Sequence, residues 1–221
     1  TKTPMLERNA HVIGKVLCRH DTLDSTNEAA RRLMSKSEPA DGTVIWAADQ
    51  AAGRGQFDNQ WYSTRGESAL FSVILRPKAL AVADQFVLTL LVTLSVMDGI
   101  EAVCGPLDRL EVKWPNDLYL HGRKIAGVLI ENQCMGQRIA STIAGVGINV
   151  RQDEMPRHLP GATSLRSITG RVIDPKDVMT AILNALDERY VEFNDSVHRP
   201  HRREELRRRW HAAFERRMLG H

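Results

Sequence analysis

Four short stretches of this chain hold residues that could do polar chemistry. The first is Gln50-Ala51-Ala52-Gly53-Arg54-Gly55-Gln56, with Trp61 close behind. Glycine lets the backbone take positive φ and approach a ligand closely. An arginine between two glycines presents a planar fork of donors suited to phosphate or carboxylate. No Gly-Lys-Ser/Thr follows, so this is not a Walker loop, and the third glycine of a dinucleotide fingerprint is missing. Taken alone, the stretch is either an anion-handling loop or a surface turn with an exposed arginine. The second is Lys113-Trp114-Pro115-Asn116-Asp117. Pro115 cannot continue a central strand, and Asn and Asp hold a turn by bonding to nearby backbone. Either this is a plain turn, or Lys113, Asn116 and Asp117 converge at one sheet end as cation, amide and carboxylate.

The third stretch, Arg123-Lys124, runs into Ile125-Ala126-Gly127-Val128-Leu129-Ile130. Side chains alternate along a strand, so only one of the basic pair points inward. A lysine at the edge of an apolar strand could sit in a partly dry pocket and pair strongly with a bound anion; a place on the surface is its commoner fate. The fourth, Gly145-Val146-Gly147-Ile148-Asn149, puts two glycines inside a strand. Close approach by a ligand and a tight corner both explain that pattern.

Several elements must position these stretches. Asp24-Ser25-Thr26-Asn27-Glu28 opens a helix, with Ser25 and Glu28 spaced as a capping box; the helix runs to a break near Pro39. Residues 43–48 and 69–75 read as strands flanking the glycine loop. Over residues 83–103, Phe86, Leu90, Leu94, Met97 and Ile100 recur at helical spacing and define one apolar face. Four β segments follow at 110–114, 118–120, 124–131 and 138–150. Their glycine-containing turns make antiparallel neighbours. Asp174-Pro175 starts another helix, reaching about Phe193, and a basic helix follows Pro200. The expected fold class is α+β, with a mostly antiparallel or mixed central sheet flanked by helices; a Rossmann fold is disfavoured.

The chain has 221 residues, 43% hydrophobic and 26% charged, and a net charge of +3. That is one globular domain with a real core, and the charge is too small to point to nucleic acid. Residues 199–217 hold eight arginines against three glutamates, which reads as a solvated face. Cys18, Cys104 and Cys134 form no CxxC pair, so neither a zinc site nor a disulfide framework is expected, and no metal ligands are assigned. No apolar run is expected to span a membrane, no signal peptide is evident, and the chain reads as cytoplasmic.

The order and spacing of the motifs carry more than any one of them. Asp24-Ser25-Thr26-Asn27, Gln50 to Gly55, Trp61, Lys113-Trp114-Pro115-Asn116-Asp117-Leu118, Gly122-Arg123-Lys124-Ile125-Ala126-Gly127 and Gly145-Val146-Gly147-Ile148-Asn149 occur in one series. That series closely resembles biotin protein ligases over residues 21–170. The resemblance implies a catalytic domain like the class II aminoacyl-tRNA synthetase fold. It implies an enzyme that makes biotinyl-5′-AMP from biotin and ATP with Mg2+, then transfers biotin to a lysine of a biotin carboxyl carrier domain of acetyl-CoA carboxylase.

Carried over by motif, Ser25, Thr26, Asn27 and Gln50 would hold the biotin rings. Arg54, Gly55 and Gln56 would wrap the carboxylate and phosphate side. Lys124 would bridge the biotin carboxylate and the α-phosphate, over a slot made by Gly127, Leu129, Gly145 and Gly147. Trp61 would pack against the nucleotide, with Asn116 and Asn149 on the ATP side and Lys113 facing the phosphates. Asp117 would sit by the incoming lysine. Arg54, Lys113, Lys124 and Asp117 are thus the expected catalytic groups. The nearest rival within the same fold is a lipoate ligase or octanoyl transferase; a rival of another class is a biotin- or adenylate-binding regulator without activity.

Residues 1–198 are expected to form the catalytic domain and 199–221 a basic terminal helix. Only 23 residues precede Asp24, too few for the helix-turn-helix that many relatives carry, so no DNA partner is expected. The C-terminal SH3-like barrel of longer relatives is not expected either, and the protein would be a monomer or homodimer. The loop also departs from the family. Where relatives continue Gly-Arg-Gly with a further arginine and glycine, this chain has Phe57 and Asp58. A carboxylate turned toward phosphates works against binding them, so looser retention of the adenylate is expected. Rapid-quench separation of free from bound biotinyl-AMP checks this; tight retention, unchanged in Asp58→Gly, contradicts it.

Overall fold

The computed structural model describes residues 10–55 and 60–220. β1 (Leu17–Leu23) leads into α1 (Thr26–Lys36), and β2 (Thr43–Gln50) returns parallel to β1. A small hairpin, β3 (Gly53–Arg54) with β4 (Gln60–Trp61), stands apart from the main sheet. β5 (Ser68–Leu75) and a short 3-10 turn precede the long α2 (Phe86–Cys104). β6 (Leu110–Lys113), β7 (Asp117–Leu120), β8 (Arg123–Met135) and β9 (Arg138–Asn149) form a meander. α3 (Leu165–Thr169), α4 (Pro175–Asp195) and α5 (Pro200–Glu215) complete the chain.

The main sheet has seven strands in the order β1-β2-β5-β9-β8-β7-β6. Only the β1–β2 pair is parallel; the other neighbours are antiparallel. This is the mixed, helix-flanked α+β sheet expected. β1 is, with the β3–β4 hairpin and α3, among the elements the sequence concealed. Arg19, His20, Asp21 and Thr22 are all exposed on this edge strand, so it lacks the alternation that marks a half-buried strand.

One face of the sheet carries the main core. Phe71, Val73 and Leu75 of β5, Ala144, Val146 and Ile148 of β9, and Val128 of β8 are buried there with α2 and α4. α2 is not amphipathic, as its single apolar face implied. Val87, Leu88, Leu91, Val92 and Val96 are buried as well, because the helix lies between the sheet and α4. With its preceding turn, Val82–Cys104 is long and apolar enough to span a membrane, contrary to expectation. Two-thirds (67%) of the relevant window is buried inside the fold, which accounts for its apolarity. The C-terminal helix also differs from a wholly solvated face: Leu206, Trp210 and Phe214 enter the core, and Trp210 stacks on Phe193 at 6.4 Å.

The opposite face is only partly covered. α1 packs Ala30, Ala29, Leu33 and Met34 on Ile45, Ile74 and Ile143. Along β9 the same side of the strand continues from Ile143 to Gly145 and Gly147. Large side chains and helical cover therefore stop together, and the sheet beyond offers bare backbone.

Candidate active site

That bare patch is the floor of a pocket walled by the N-terminus of α1, the β3–β4 hairpin and the turn between β6 and β7. A side chain on the floor would collide with its walls. A Cβ at Gly147 would lie 2.6 Å from the Trp61 indole, and one at Gly127 would lie 3.2 Å from it. At Gly145 a Cβ would overlap the Asn27 amide.

One end of the pocket is polar and buried. Ser25, Thr26 and Asn27 are each no more than 4% exposed. The Thr26 amide donates to Gln50 Oε1 at 2.7 Å. Ser72 Oγ lies 2.7 Å from Thr26 Oγ1 and 2.5 Å from Asn27 Oδ1, and Asn27 Nδ2 donates to Glu131 Oε2 at 2.7 Å. The expected capping box is absent. Ser25 is the N-cap residue but makes no side-chain cap bond, and the Glu28 carboxylate pairs with Arg31 and Arg54 rather than reaching back to the Ser25 amide. The Ser25 amide donates to Asp24 Oδ1 at 2.9 Å. The Arg32 guanidinium, which forks onto both Asp24 oxygens, holds that carboxyl well below the usual carboxylate range.

The other end carries an ion pair, Lys124 Nζ to Asp117 Oδ2 at 2.7 Å. Strand register explains it. Asp117 opposes Gly127 and Leu118 opposes Ala126, but Tyr119 opposes Lys124. Ile125 is therefore an extra residue on β8, a bulge. Without it, alternation from Gly127 would put Ile125 and Arg123 over the pocket and Lys124 on the other face. With it, Ile125 is fully buried, Lys124 lines the pocket, and Arg123 turns outward to the Ala162 carbonyl at 2.9 Å. The backbone of Lys124 is held as well, by Gly161 O at 2.8 Å and Thr163 N at 2.9 Å.

Most of the residues singled out from sequence meet here. Arg54, Gly55, Asn116 and Leu129 line the pocket with those already named. Two do not sit as expected. Lys113 is exposed, lies 5.6 Å from the Tyr119 ring and does not line the pocket. Asn149 is buried and donates to the Thr163 carbonyl at 3.1 Å, bracing the segment that holds Lys124. Trp61 lies over the glycine floor of the pocket itself. Lys124 Nζ is 5.7 Å from its ring, and its indole N–H is buried without a hydrogen-bond partner among the described residues. Gln56, Phe57 and Asp58 lie outside the described residues.

Other contributors were missed. Ser72 and Glu131 support Asn27, and Trp114 and Pro115 join the pocket wall. Strand parity with Gly127 and Leu129 was the one available signal for Glu131.

Comparison with known proteins agrees with this geometry. Residues 20–149 match the sequence profile of the Biotin/lipoate A/B protein ligase family. The bifunctional ligase/repressor BirA of Bacillus subtilis is 38% identical over 185 residues, 82% of this chain. The present chain spans only 56% of that relative's length. The biotin--[acetyl-CoA-carboxylase] ligase of Paracoccus denitrificans is 34% identical, covering 73% of this chain and 68% of the relative. Among solved structures, the biotin protein ligase of Aquifex aeolicus in complex with biotin and ATP superposes with a TM-score of 0.74 at 30% identity. That match covers 93% of this chain and 79% of that one. The chain belongs to the biotin/lipoate A/B protein ligase family.

Proposed function

We propose that this chain joins biotin to ATP as biotinyl-5′-AMP and passes the biotinyl group to a lysine of a biotin carboxyl carrier protein. The observation that carries this reading is Lys124, aimed by the Ile125 bulge over a side-chain-free floor and paired with Asp117. The names of the Paracoccus relative and the Aquifex complex support biotin, ATP and the acetyl-CoA carboxylase carrier as reactants. The reaction belongs in the cytoplasm, where ATP is available and the free thiols of Cys18, Cys104 and Cys134 stay reduced.

In this reading the buried polar groups of Ser25, Thr26 and Asn27, with the half-buried Gln50 beside them, hold the ring end of biotin. Its chain runs over Gly145, Gly147 and Gly127, and Leu129 lines the same slot. The carboxylate then lies near Lys124. In the first step a carboxylate oxygen attacks the α-phosphorus of ATP, and the bond to pyrophosphate breaks. Both reactants are anions, so a fixed cation in a partly dry site lowers the barrier. Lys124 supplies it, and Arg54 of the β3–β4 hairpin, whose Trp61 covers the glycine floor as a lid, adds a second. Magnesium arrives on the triphosphate as part of the substrate. The Trp61 N–H, without a partner among the described residues, offers a donor to a ligand acceptor, and Asn116 stands on the nucleotide side. Lys113 and Asn149 are given no substrate contact.

In the second step the neutral carrier amine attacks the acyl carbon, the amide forms, AMP leaves and a proton is released. Asp117, beside Lys124, orients that amine. The acyl group is already activated, so orientation outweighs proton abstraction here.

Lys124→Ala is expected to slow adenylate formation by about 100-fold or more, the scale of losing one fixed electrostatic stabiliser. Its effect on unfolding should stay under about 1 kcal/mol, because the pair is partly exposed. Quench-flow kinetics beside denaturant unfolding measure both. Asp117→Asn should slow transfer from preformed adenylate more than it slows adenylate formation.

The function itself is tested by incubating an apo-carrier domain with ATP and either biotin or lipoate, then weighing the product. We expect the biotin adduct alone. A lipoate adduct alone would assign the chain to the other branch of its family.

A further inference from the structure

The lid arginine is mounted on the helix that carries the buried end of the pocket. Arg54 Nη1 donates to the Glu28 carboxylate. Glu28 also accepts from Arg31 Nη1 at 2.6 Å, one turn further along α1. Arg31 Nη2 reaches Glu131 Oε1 at 2.5 Å, and Glu131 Oε2 accepts from Asn27 Nδ2 at 2.7 Å. Asn27 is only 3% exposed. An unbroken chain of charge-assisted bonds thus runs from the buried polar end of the pocket to the lid. Its charges alternate in sign and sum to zero.

We propose that Glu28 is a positioning residue for Arg54, holding one edge of its guanidinium so that the remaining donors serve the phosphate of a bound acyl-adenylate. This rests on the proposed function. A guanidinium has five N–H donors in a fixed fork, and the bond to Glu28 uses one terminal nitrogen. Two features make Glu28 a mount rather than a competitor for the phosphate. Its charge is already shared with Arg31, which weakens its claim on Arg54. Its chain of partners is anchored at Asn27, so the carboxylate is held in place before any ligand arrives. Fixing a long side chain in advance removes part of the ordering entropy that binding would otherwise cost. The roles of mount and competitor predict opposite signs when Glu28 is neutralised.

The test is a double-mutant cycle on the intact chain, read as the dissociation rate of chemically synthesised biotinyl-5′-AMP. The proteins are the unsubstituted chain, Glu28→Gln, Arg54→Ala and the double variant. Glu28→Gln should speed release about 2- to 5-fold, the range for a partly exposed charged pair. In the Arg54→Ala background it should add nothing. Equal acceleration in both backgrounds would mean that Glu28 acts independently of Arg54 and would overturn the proposal. Slower release would make Glu28 a competitor, and an unchanged rate would make the contact idle; either result also overturns it. If the unsubstituted chain does not bind biotinyl-5′-AMP, the proposed function fails first and this inference falls with it. That outcome is recognisable because it precedes any substitution.

Discussion

The insertion of Ile125 into β8 decides which way Lys124 points. Side chains along a strand alternate strictly, so a slip of one residue sends every side chain to the opposite face. β7 and β8 use that rule within a single strand. Gly127 opposes Asp117 in one register, and Lys124 opposes Tyr119 in the next. The core receives Ile125 and the pocket receives an ammonium group 2.7 Å from a carboxylate. The rest of the site is arranged around that cation. The 161–163 segment ties its backbone, Asn149 braces the segment, and the glycine floor leaves room beside it.

The floor imposes a second constraint. A sheet face without side chains is a poor hydrophobic surface, and it is tolerated because α1 covers the neighbouring isoleucines and closes the core there. The helix that stabilises this face also delivers its N-terminal residues to the pocket. Packing and recognition therefore share one element. The lid follows the same economy: Gly53 lets the β3 backbone run against Trp61 of β4, where a Cβ would lie 2.5 Å from the Trp61 carbonyl oxygen. The ring of that tryptophan then lies over Gly147 and Gly127.

Much of this was legible in the residues. The glycines at 145 and 147, the Lys113 to Asp117 turn and the glycine loop each admitted a ligand role beside a plain structural one, and most of their members meet in one pocket. The meander β6 to β9 followed from its turns. What escaped depends on register and tertiary partners. Alternation showed that only one of Arg123 and Lys124 could face inward, but the bulge that selects Lys124 has no local sequence mark. Lys113 shares a motif with Asp117 and is its cross-strand partner, yet its ammonium group lies over the Tyr119 ring and not in the pocket lining. Asn149 sits one strand end from the pocket and spends its amide on Thr163. Glu28 had the spacing of a capping residue, but its carboxylate pairs with Arg31 one turn along α1 and with Arg54 brought in by folding. β1 was hidden because an exposed edge strand needs no apolar alternation.

In the proposed function this pocket condenses a carboxylate with ATP before any carrier is engaged. Exchange of labelled pyrophosphate into ATP, measured with and without biotin and in the absence of carrier, tests it most directly. The account predicts exchange that depends on biotin. Binding of biotin with no exchange would contradict it and would make the chain a binding module on a ligase fold.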